Sequence, residues 1–233
     1  MRQASLTVRR FFERYPTDEA CLLHLLEKRF GSSHTCRKCQ RLATFHKVAG
    51  RRAFACAHCG DHLFPCSGTI FESSRTPLQM WFYAIYLMCK SSRGVSAAEL
   101  QRTLGVTYKT AWRMGHQIRD LMAKAERSTQ ADRSSSSVEI AEEGSGSVST
   151  TVLSKTSMSV SFAGDEHNGE IGEPSLMASY LPIIRKSRFH ATVRATHSRV
   201  SEKHLPRYIS EFSFRAQRRS YQNQLFDRLL QHL

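Results

Sequence analysis

The sequence predicts a mostly helical α+β protein with an N-terminal zinc ribbon, a helix-turn-helix and a small helical C-terminal segment. The first observation behind this fold class is two Cys-x-x-Cys pairs, Cys36 with Cys39 and Cys56 with Cys59, separated by sixteen residues. The second is an apolar periodicity of helical type over residues 78–122. The third is a later stretch rich in Ser and Gly, which is typical of a disordered linker.

These observations divide the chain into four predicted segments. Residues 16–75 are expected to hold an N-terminal helix and the zinc ribbon, and residues 76–126 the helix-turn-helix region. Residues 127–180 are expected to be the low-complexity linker. Residues 181–233 are expected to be a small helical segment.

The paired cysteines are predicted to bind one structural Zn²⁺ ion through four sulfurs. Residues 42–48 and 51–56 suit the arms of a hairpin between the pairs, with Ala49 and Gly50 as its turn. Two disulfides, or four unrelated cysteines, are the alternatives. Basic residues near the site favour the thiolate form, and they are Arg37, Lys38, Arg41, Lys47, Arg51 and Arg52. The remaining cysteines, Cys21, Cys66 and Cys89, are expected to be buried free thiols in a reducing compartment.

The net charge of +14 is concentrated at the two ends of the chain. Residues 1–127 hold 21 Lys and Arg against 9 Asp and Glu, and residues 185–233 hold 11 against 3. Residues 128–184 hold 2 against 8. Basic segments of this density favour polyanions, above all nucleic acid. Acidic substrates and anionic membranes are the alternative partners.

Neither a signal peptide nor a membrane span is expected. The longest apolar run, Met80–Cys89, is about half of the roughly 20 residues that a membrane helix needs. Arg9 and Arg10 are followed by two phenylalanines and then by Glu13, with no long apolar stretch behind them. The sequence therefore predicts a soluble protein.

The elements before residue 95 have local signals. Residues 1–15 are basic and expected to be loosely held, whereas Thr17 can cap a helix that ends at Gly31 and packs against the ribbon. Residues 64–71 are expected to add a third strand. Thr76 and Gln79 then form a capping box for a helix. The predicted core positions of that helix are Leu78, Trp81, Phe82, Ile85 and Cys89.

A helix-turn-helix is predicted over residues 94–122. Ser96 caps the first helix, residues 104–106 make a turn around a glycine, and Thr107 caps the second helix, which runs through Met122. The predicted buried side of the second helix is Ala111, Met114, Ile118, Leu121 and Met122. The candidate DNA contacts on its opposite side are Lys109, Arg113, His116 and Gln117, with Arg51 and Arg52 of the ribbon beside them. An ordinary helical hairpin is the alternative.

Two amphipathic helices are predicted near the C-terminus. In the first, capped by Ser201, the apolar side is Leu205, Tyr208, Ile209 and Phe212. The second contains Leu225, Phe226, Leu229 and Leu230. Both apolar sides need a covering surface, which each other, the N-terminal region or another subunit can supply.

Three stretches resemble the zinc-ribbon transposases of bacterial insertion sequences, of the ISXO2-like group. They are the run from Cys56 through Gly68-Thr69-Ile70-Phe71 to Trp81, the run Ser96–Met114, and the run Val200–Arg215. In that family the N-terminal module binds the ends of the element. A ribonuclease-H-like domain then cuts and joins DNA with two divalent metals held by an Asp-Asp-Glu set. The resemblance implies a double-stranded DNA partner and a bacterial, nucleoid-associated location in the cytoplasm.

The sequence departs from the family where the catalytic acids are expected. Val138-Glu139-Ile140 resembles the first catalytic strand, but Ala141 stands where the family has Asp. Asp165 and Glu166 resemble the second acid only weakly, and residues 182–186 contain no Glu. Two-metal chemistry needs converging carboxylates. We therefore expect an incomplete ribonuclease-H-like remnant, no catalytic residues, and Mg²⁺ binding only if a catalytic core survives.

Three functional hypotheses follow. The first is a catalytically inactive, transposase-like DNA-binding protein, acting as a homo-oligomer or in a mixed assembly with an intact transposase. The second is a functioning metal-dependent transposase with a diverged core. The third is a zinc-ribbon module that binds a protein partner.

Overall fold

The computed structural model describes residues 6–31, 33–136, 186–197, 200–217 and 224–233. The helices in these ranges are α1 Val8–Arg14, α2 Asp18–Phe30, α3 Leu78–Lys90, α4 Ala97–Leu104, α5 Tyr108–Ser136, α6 Lys186–Thr196, α7 Leu205–Gln217 and α8 Leu225–Leu230, with a 3₁₀ turn over Glu202–His204 before α7. The strands are β1 His34–Thr35, β2 Leu42–Ala43, β3 Phe45–Lys47, β4 Phe54–Cys56 and β5 His62–Leu63. The described part is therefore mostly helical with small antiparallel sheets.

The ribbon consists of two small sheets. β1 pairs with β2, and β4 lies between β3 and β5, all antiparallel. The predicted hairpin is present as β3 and β4, and Phe45 faces Cys56 in its register. Its first arm is divided between the two sheets, because β2 pairs with β1 rather than with β4.

The third strand lies earlier than predicted. It is β5, whereas the chain makes successive turns at residues 65–73. The reason is local hydrogen bonding. The Thr69 hydroxyl donates to the Cys66 carbonyl at 2.6 Å, and a Glu72 carboxylate oxygen accepts from the Gly68 N–H at 2.9 Å. Such side-chain bonds compete with a strand ladder.

The expectation that residues 1–15 are loosely held is wrong for α1. The Thr7 side chain caps this helix by accepting from the Arg10 N–H. Phe11 and Tyr15, four residues apart, are both buried. The Phe11 ring lies 5.1 Å from Tyr86 and 5.9 Å from Phe226, measured between centroids. Basic residues occupy the outer side of α1, while the aromatic positions anchor it to the core.

Helix α2 begins and ends as predicted, with Thr17 accepting from the Ala20 N–H and Gly31 at a φ of 79°. Its principal packing partner is α3, not the ribbon as expected. Asp18 in its first turn lies 3.6 Å from Arg52 of the ribbon, and its last turn also reaches the ribbon. There Phe30 contacts His34, with ring centroids 5.1 Å apart.

The predicted capping box of α3 is absent, since Pro77 is the N-cap residue and makes no side-chain hydrogen bond. The Asp18 carboxylate from α2 takes that role. Its oxygens accept from the backbone N–H groups of Leu78 at 3.0 Å and Gln79 at 2.9 Å. The Gln79 side chain instead donates to the Tyr15 carbonyl at 2.7 Å. The cap therefore joins α2 to α3 as well as satisfying the helix end.

Helices α4 and α5 are joined by a tight turn, as predicted. Ser96 caps α4, and Gly105 ends it in the left-handed region at a φ of 66°, where a residue without a Cβ is favoured. The five predicted buried positions of α5 are all at most 4 % exposed. Helix α5 continues beyond Met122 to Ser136, so residues 127–136 are helical and not part of the predicted linker.

One hydrophobic core contains residues from α1 to α5, α7 and α8. The predicted core position Trp81 is 1 % exposed, and Cys21, Cys66 and Cys89 are buried free thiols as predicted. The C-terminal helices find their covering surface on the N-terminal part, where α7 packs on α5 and α8 packs on α3. Helix α6, which the sequence did not indicate, adds Phe189 to a small second cluster with α7.

The remaining linker and the acids assigned to it lie outside the described residues. These are residues 137–180 with Glu139, Ala141, Glu142, Glu143, Asp165 and Glu166, and most of residues 182–186. Within the described ranges, no helix combines the length and apolarity that crossing a bilayer requires. The four-segment division itself stays a prediction.

Replacing Asp18 should destabilise the fold through the lost cap of α3. We expect Asp18→Ala to lower the free energy of unfolding by about 1–2 kcal/mol, measured by urea unfolding. Glu19→Ala is the matched control, because Glu19 shares the first turn of α2 but makes no bond to α3 in the described structure. Equal losses for the two variants would contradict the capping role.

Candidate metal centre and nucleic-acid interface

The four paired cysteines converge on one point. Their sulfur atoms all lie within 4.8 Å of one another. The Sγ atoms of Cys36 and Cys59 are 3.5 Å apart, and those of Cys39 and Cys56 are 3.9 Å apart. A tetrahedral ion with Zn–S bonds of about 2.3 Å places its sulfurs about 3.8 Å apart. All seven cysteines are free, which excludes the two-disulfide alternative.

Each Cys-x-x-Cys pair forms the same backbone turn. The Cys36 N–H donates to the Arg41 carbonyl at 2.9 Å, and its carbonyl accepts from Gln40. The Cys56 N–H donates to the Asp61 carbonyl at 2.8 Å, and its carbonyl accepts from Gly60. Both turns pass through a residue of positive φ.

The positive φ values are 56° at Gln40 and 69° at Gly60. Glycine adopts this region freely, whereas a residue with a Cβ needs compensation. For Gln40 the side chain supplies it by donating to the Arg37 carbonyl at 2.7 Å. The two turns thus aim all four sulfurs inward.

At these distances the pKa of each thiol depends on its neighbours. The backbone N–H of Cys39 lowers the pKa of the Cys36 thiol to about 7. For Cys59, the N–H of Asp61 lowers the pKa, but burial and the neighbouring sulfurs outweigh it and raise the pKa to about 12. Four thiolates together therefore need a cation between them. Zn²⁺ fits this donor set, and four protein ligands make a closed, structural type of site.

One comparison with known proteins identifies a related domain. Residues 16–62 match the family model of the transposase zinc-ribbon domain, Zn_ribbon_IS1595. The chain carries a transposase-type zinc ribbon. This match covers α2 and the ribbon, about a fifth of the chain. No curated protein and no solved structure matches the chain. Together with the sulfur cluster, the match supports zinc binding and a relationship to zinc-ribbon transposases.

Two of the four candidate DNA contacts on α5 are exposed to solvent. Lys109 and Arg113 are exposed on the first two turns of α5, directly after the glycine turn. Two aromatic side chains lie among them, with Tyr108 53 % and Trp112 38 % exposed. The sequence analysis did not include Tyr108 and Trp112 among the candidate DNA contacts. The signal for them is that each precedes a basic residue, Lys109 or Arg113.

The next turn of α5 is not a free surface, which corrects the predicted placement of His116 and Gln117. His116 is only 5 % exposed and Gln117 is half-buried. The His116 ring lies 4.0 Å from Trp112 and 4.6 Å from His204, measured between centroids. The C-terminal elements cover this side of α5, and no periodicity within α5 reveals such a contact.

The two candidate DNA contacts of the ribbon, Arg51 and Arg52, differ in solvent exposure. Arg51 is exposed at the hairpin turn. Arg52 is half-buried and donates to the carbonyls of Ser74 at 2.8 Å and Thr76 at 2.7 Å. It also lies 3.6 Å from Asp18. Its charge is therefore engaged in fixing the loop before α3, which corrects its placement among freely available DNA contacts.

A buried ion pair holds α7 against α5. Arg119 and Glu211 are 2.6 Å apart, with side chains 3 % and 2 % exposed. Arg119 also donates to the Val95 carbonyl at 3.1 Å, and its guanidinium lies 4.2 Å from the Tyr208 ring centroid. Arg215 approaches the other Glu211 oxygen at 3.4 Å. Both carboxylate oxygens thus face a guanidinium, which offsets the cost of burial.

The zinc content is directly testable. The purified protein should carry about one zinc per chain, and Cys36→Ser with Cys59→Ser should carry almost none, measured by elemental analysis. Cys66→Ala is the control, because Cys66 lies outside the sulfur cluster. Full zinc retention by the double variant would contradict the assignment.

Stability should fall as the pH drops from about 6.5 toward 4. Burial, with the Arg119 charge next, lowers the pKa of His116 from 6.5 to about 4, and burial likewise lowers the pKa of His197 to about 4. Between these two pKa values the histidines are protonated in the unfolded chain but neutral in the folded chain. The free energy of unfolding therefore decreases as the pH falls, until the pH is below the pKa of the folded state. The measurement is urea unfolding at several pH values.

The control for this pH effect is a pair of histidine variants. His116→Leu should flatten part of the dependence, whereas exposed His46→Leu should leave it unchanged. The comparison also separates the histidine effect from acid release of zinc, which both variants share. Parallel profiles for wild type and His116→Leu would contradict the prediction.

Proposed function

We propose that this chain is a transposase-related protein that binds double-stranded DNA at insertion-sequence ends and has no strand-transfer activity. The observation that carries the proposal is the transposase-type ribbon joined to a second helical unit whose exposed helix start is basic. The proposal includes a location on the bacterial nucleoid, where such DNA is found.

The geometry around Gly105 supports duplex binding. In helix-turn-helix proteins the first residues of the second helix contact base edges in the major groove. Here α4 and the glycine turn leave the start of α5 exposed, with Lys109 and Arg113 one turn apart. The positive end of the helix dipole adds to the attraction for phosphate. These features suit a major-groove contact of two helical turns.

The charge distribution supports the same partner. The two basic segments contain the ribbon and the described helices, except for the last residues of α5. Lysine and arginine contacts to phosphate release counterions, so affinity should fall steeply with salt. Such steering is independent of sequence, and base contacts from α5 would supply the specificity.

The proposed absence of catalysis rests on the sequence. The position expected to hold the first acid is Ala141, and no Glu occurs in residues 182–186. The described residues contain one cluster able to hold a metal, the four cysteines. Mg²⁺ enters the proposal only if acids from residues 137–185 form a second site. A functioning transposase with a diverged core is the alternative.

A protein-binding role for the ribbon is the second candidate function. Leu42 is 68 % exposed and Phe64 is 50 % exposed, both on or beside the ribbon. Exposed apolar side chains of this size suit contact with a partner subunit. A homo-oligomer or a mixed assembly with an intact transposase would use such a surface while α5 binds DNA.

A charge-matched pair of double variants tests the DNA surface. We expect Lys109→Ala with Arg113→Ala to weaken duplex binding by about 1–3 kcal/mol per base contact and to lower the salt slope by about 2. The measurement is fluorescence anisotropy at several salt concentrations. The control, Lys28→Ala with Lys90→Ala, removes two exposed cations from α2 and α3. Equal effects of the two pairs would contradict a defined surface on α5.

A strand-transfer assay tests the proposed inactivity. Purified protein with Mg²⁺ or Mn²⁺ and a labelled donor duplex should yield no joined or cleaved product. Binding is measured on the same preparation, so that an inactive sample is recognised. Metal-dependent product would overturn the inactivity and favour the diverged transposase.

A further inference from the structure

The 3₁₀ turn Glu202–His204 lies beside the exposed start of α5. The His204 ring centroid is 5.3 Å from that of Trp112 and 4.6 Å from that of His116. Trp112, His116 and His204 therefore form a cluster of three rings that contact one another. Trp112 remains 38 % exposed.

The turn is fixed in this position by polar contacts. Arg207 donates through Nε to an Asp120 carboxylate oxygen at 2.6 Å, and its Nη1 lies 3.2 Å from His204 Nδ1. Further along α7, the buried pair of Arg119 and Glu211 prevents sliding between the two helices. The turn and the first turns of α5 thus form one continuous surface.

We propose that the DNA-binding surface is composite, with the C-terminal turn supplying a phosphate contact through Lys203 and positioning Trp112 through His204. The proposal rests on the DNA-binding function proposed above and specifies which residues recognise the duplex. Lys203 is exposed and precedes His204 in the turn that contacts Trp112. Lys109 and Arg113 on α5 and Lys203 on the turn would then supply three cations to one surface that includes Trp112.

The charges of the surface agree with this role. Asp120 is the acidic side chain of α5 that lies exposed near the turn, and a carboxylate there would repel phosphate. Its ion pair with Arg207 compensates that charge. Phosphate contacts on both sides of a recognition helix fix its register in the groove. Lys203 would provide such a contact from a different element.

Trp112 would contribute an apolar contact to the DNA between these phosphate contacts. An aromatic edge on the second turn of a recognition helix can meet the methyl group of thymine in the major groove. Held against His116 and His204, the ring loses little conformational freedom on binding. His204 is therefore a positioning residue for Trp112.

Lys203→Ala in the full chain is the first test. It should reduce the affinity for different duplexes by a similar factor and lower the salt slope by about 1. Lys28→Ala is the matched control, because it removes one exposed cation from α2. A Lys203→Ala effect no larger than that of Lys28→Ala would overturn the phosphate contact.

Acrylamide quenching of tryptophan fluorescence is the second test. Trp81 is 1 % exposed, so quenching by a solute reports mainly on Trp112. Duplex DNA should protect wild-type fluorescence. His204→Ala should increase quenching of the free protein and weaken DNA binding, whereas His204→Phe, which keeps a ring, should restore both. An unchanged signal on DNA addition would overturn the role of Trp112.

The two tests distinguish failure of the composite surface from failure of the proposed DNA binding. If wild-type protein binds no duplex, the proposed function fails and the inference with it. If Lys109→Ala with Arg113→Ala weakens binding while Lys203→Ala and His204→Ala leave it unchanged, the function stands and the composite surface is overturned. Loss in all of these variants, with rescue by His204→Phe, supports the composite surface.

Discussion

The buried carboxylate of Glu211 determines how the C-terminal segment lies on the rest of the molecule. It is placed between the guanidinium groups of Arg119 and Arg215, and both of its neighbours are themselves largely buried. A charge removed from water costs several kcal/mol unless a partner meets it with good geometry. A shifted docking of α7 on α5 would leave Glu211 or Arg119 without a partner. The pair therefore specifies the position of α7 more narrowly than apolar packing alone would.

Two different sources of stability follow from this arrangement. The helical part buries a continuous apolar core in which the two ends of the chain meet, since Phe11 contacts Phe226 and Arg14 lies 3.0 Å from Asp227. Around its cysteines the ribbon has a small apolar cluster with Cys36, Ala43 and Cys56 buried, and among its strand residues Phe54 joins the core of the helical part. Short strands of two or three residues are marginal by themselves. Metal ligation is thus the principal constraint on the ribbon, whereas hydrophobic burial stabilises the helices.

The features that sequence could predict are those with local causes. The spacing of the cysteines indicated the metal site, and the caps at Thr17 and Ser96 lay within three residues of the groups they satisfy. The features that were predicted wrongly depend on residues far away in the sequence. The cap of α3 comes from Asp18, sixty residues earlier, and His116 is covered by an element that follows after residue 200. Helix α1 was missed because Phe11 is its one buried residue and Tyr15 follows as the C-cap, which is too few apolar positions among basic residues for a periodicity.

The coordination of the ribbon metal bears on what the described part of the molecule can do. Four thiolates would complete the tetrahedral shell that Zn²⁺ prefers in structural sites, which would leave no position for water or a phosphate oxygen. Hydrolysis and strand transfer by a metal both require such an open position. The ribbon ion can therefore order the protein but cannot activate a nucleophile. Under the proposed function the described residues contribute recognition, and the exposed cations Lys109 and Arg113 suit a phosphate backbone in a way that a closed sulfur site does not.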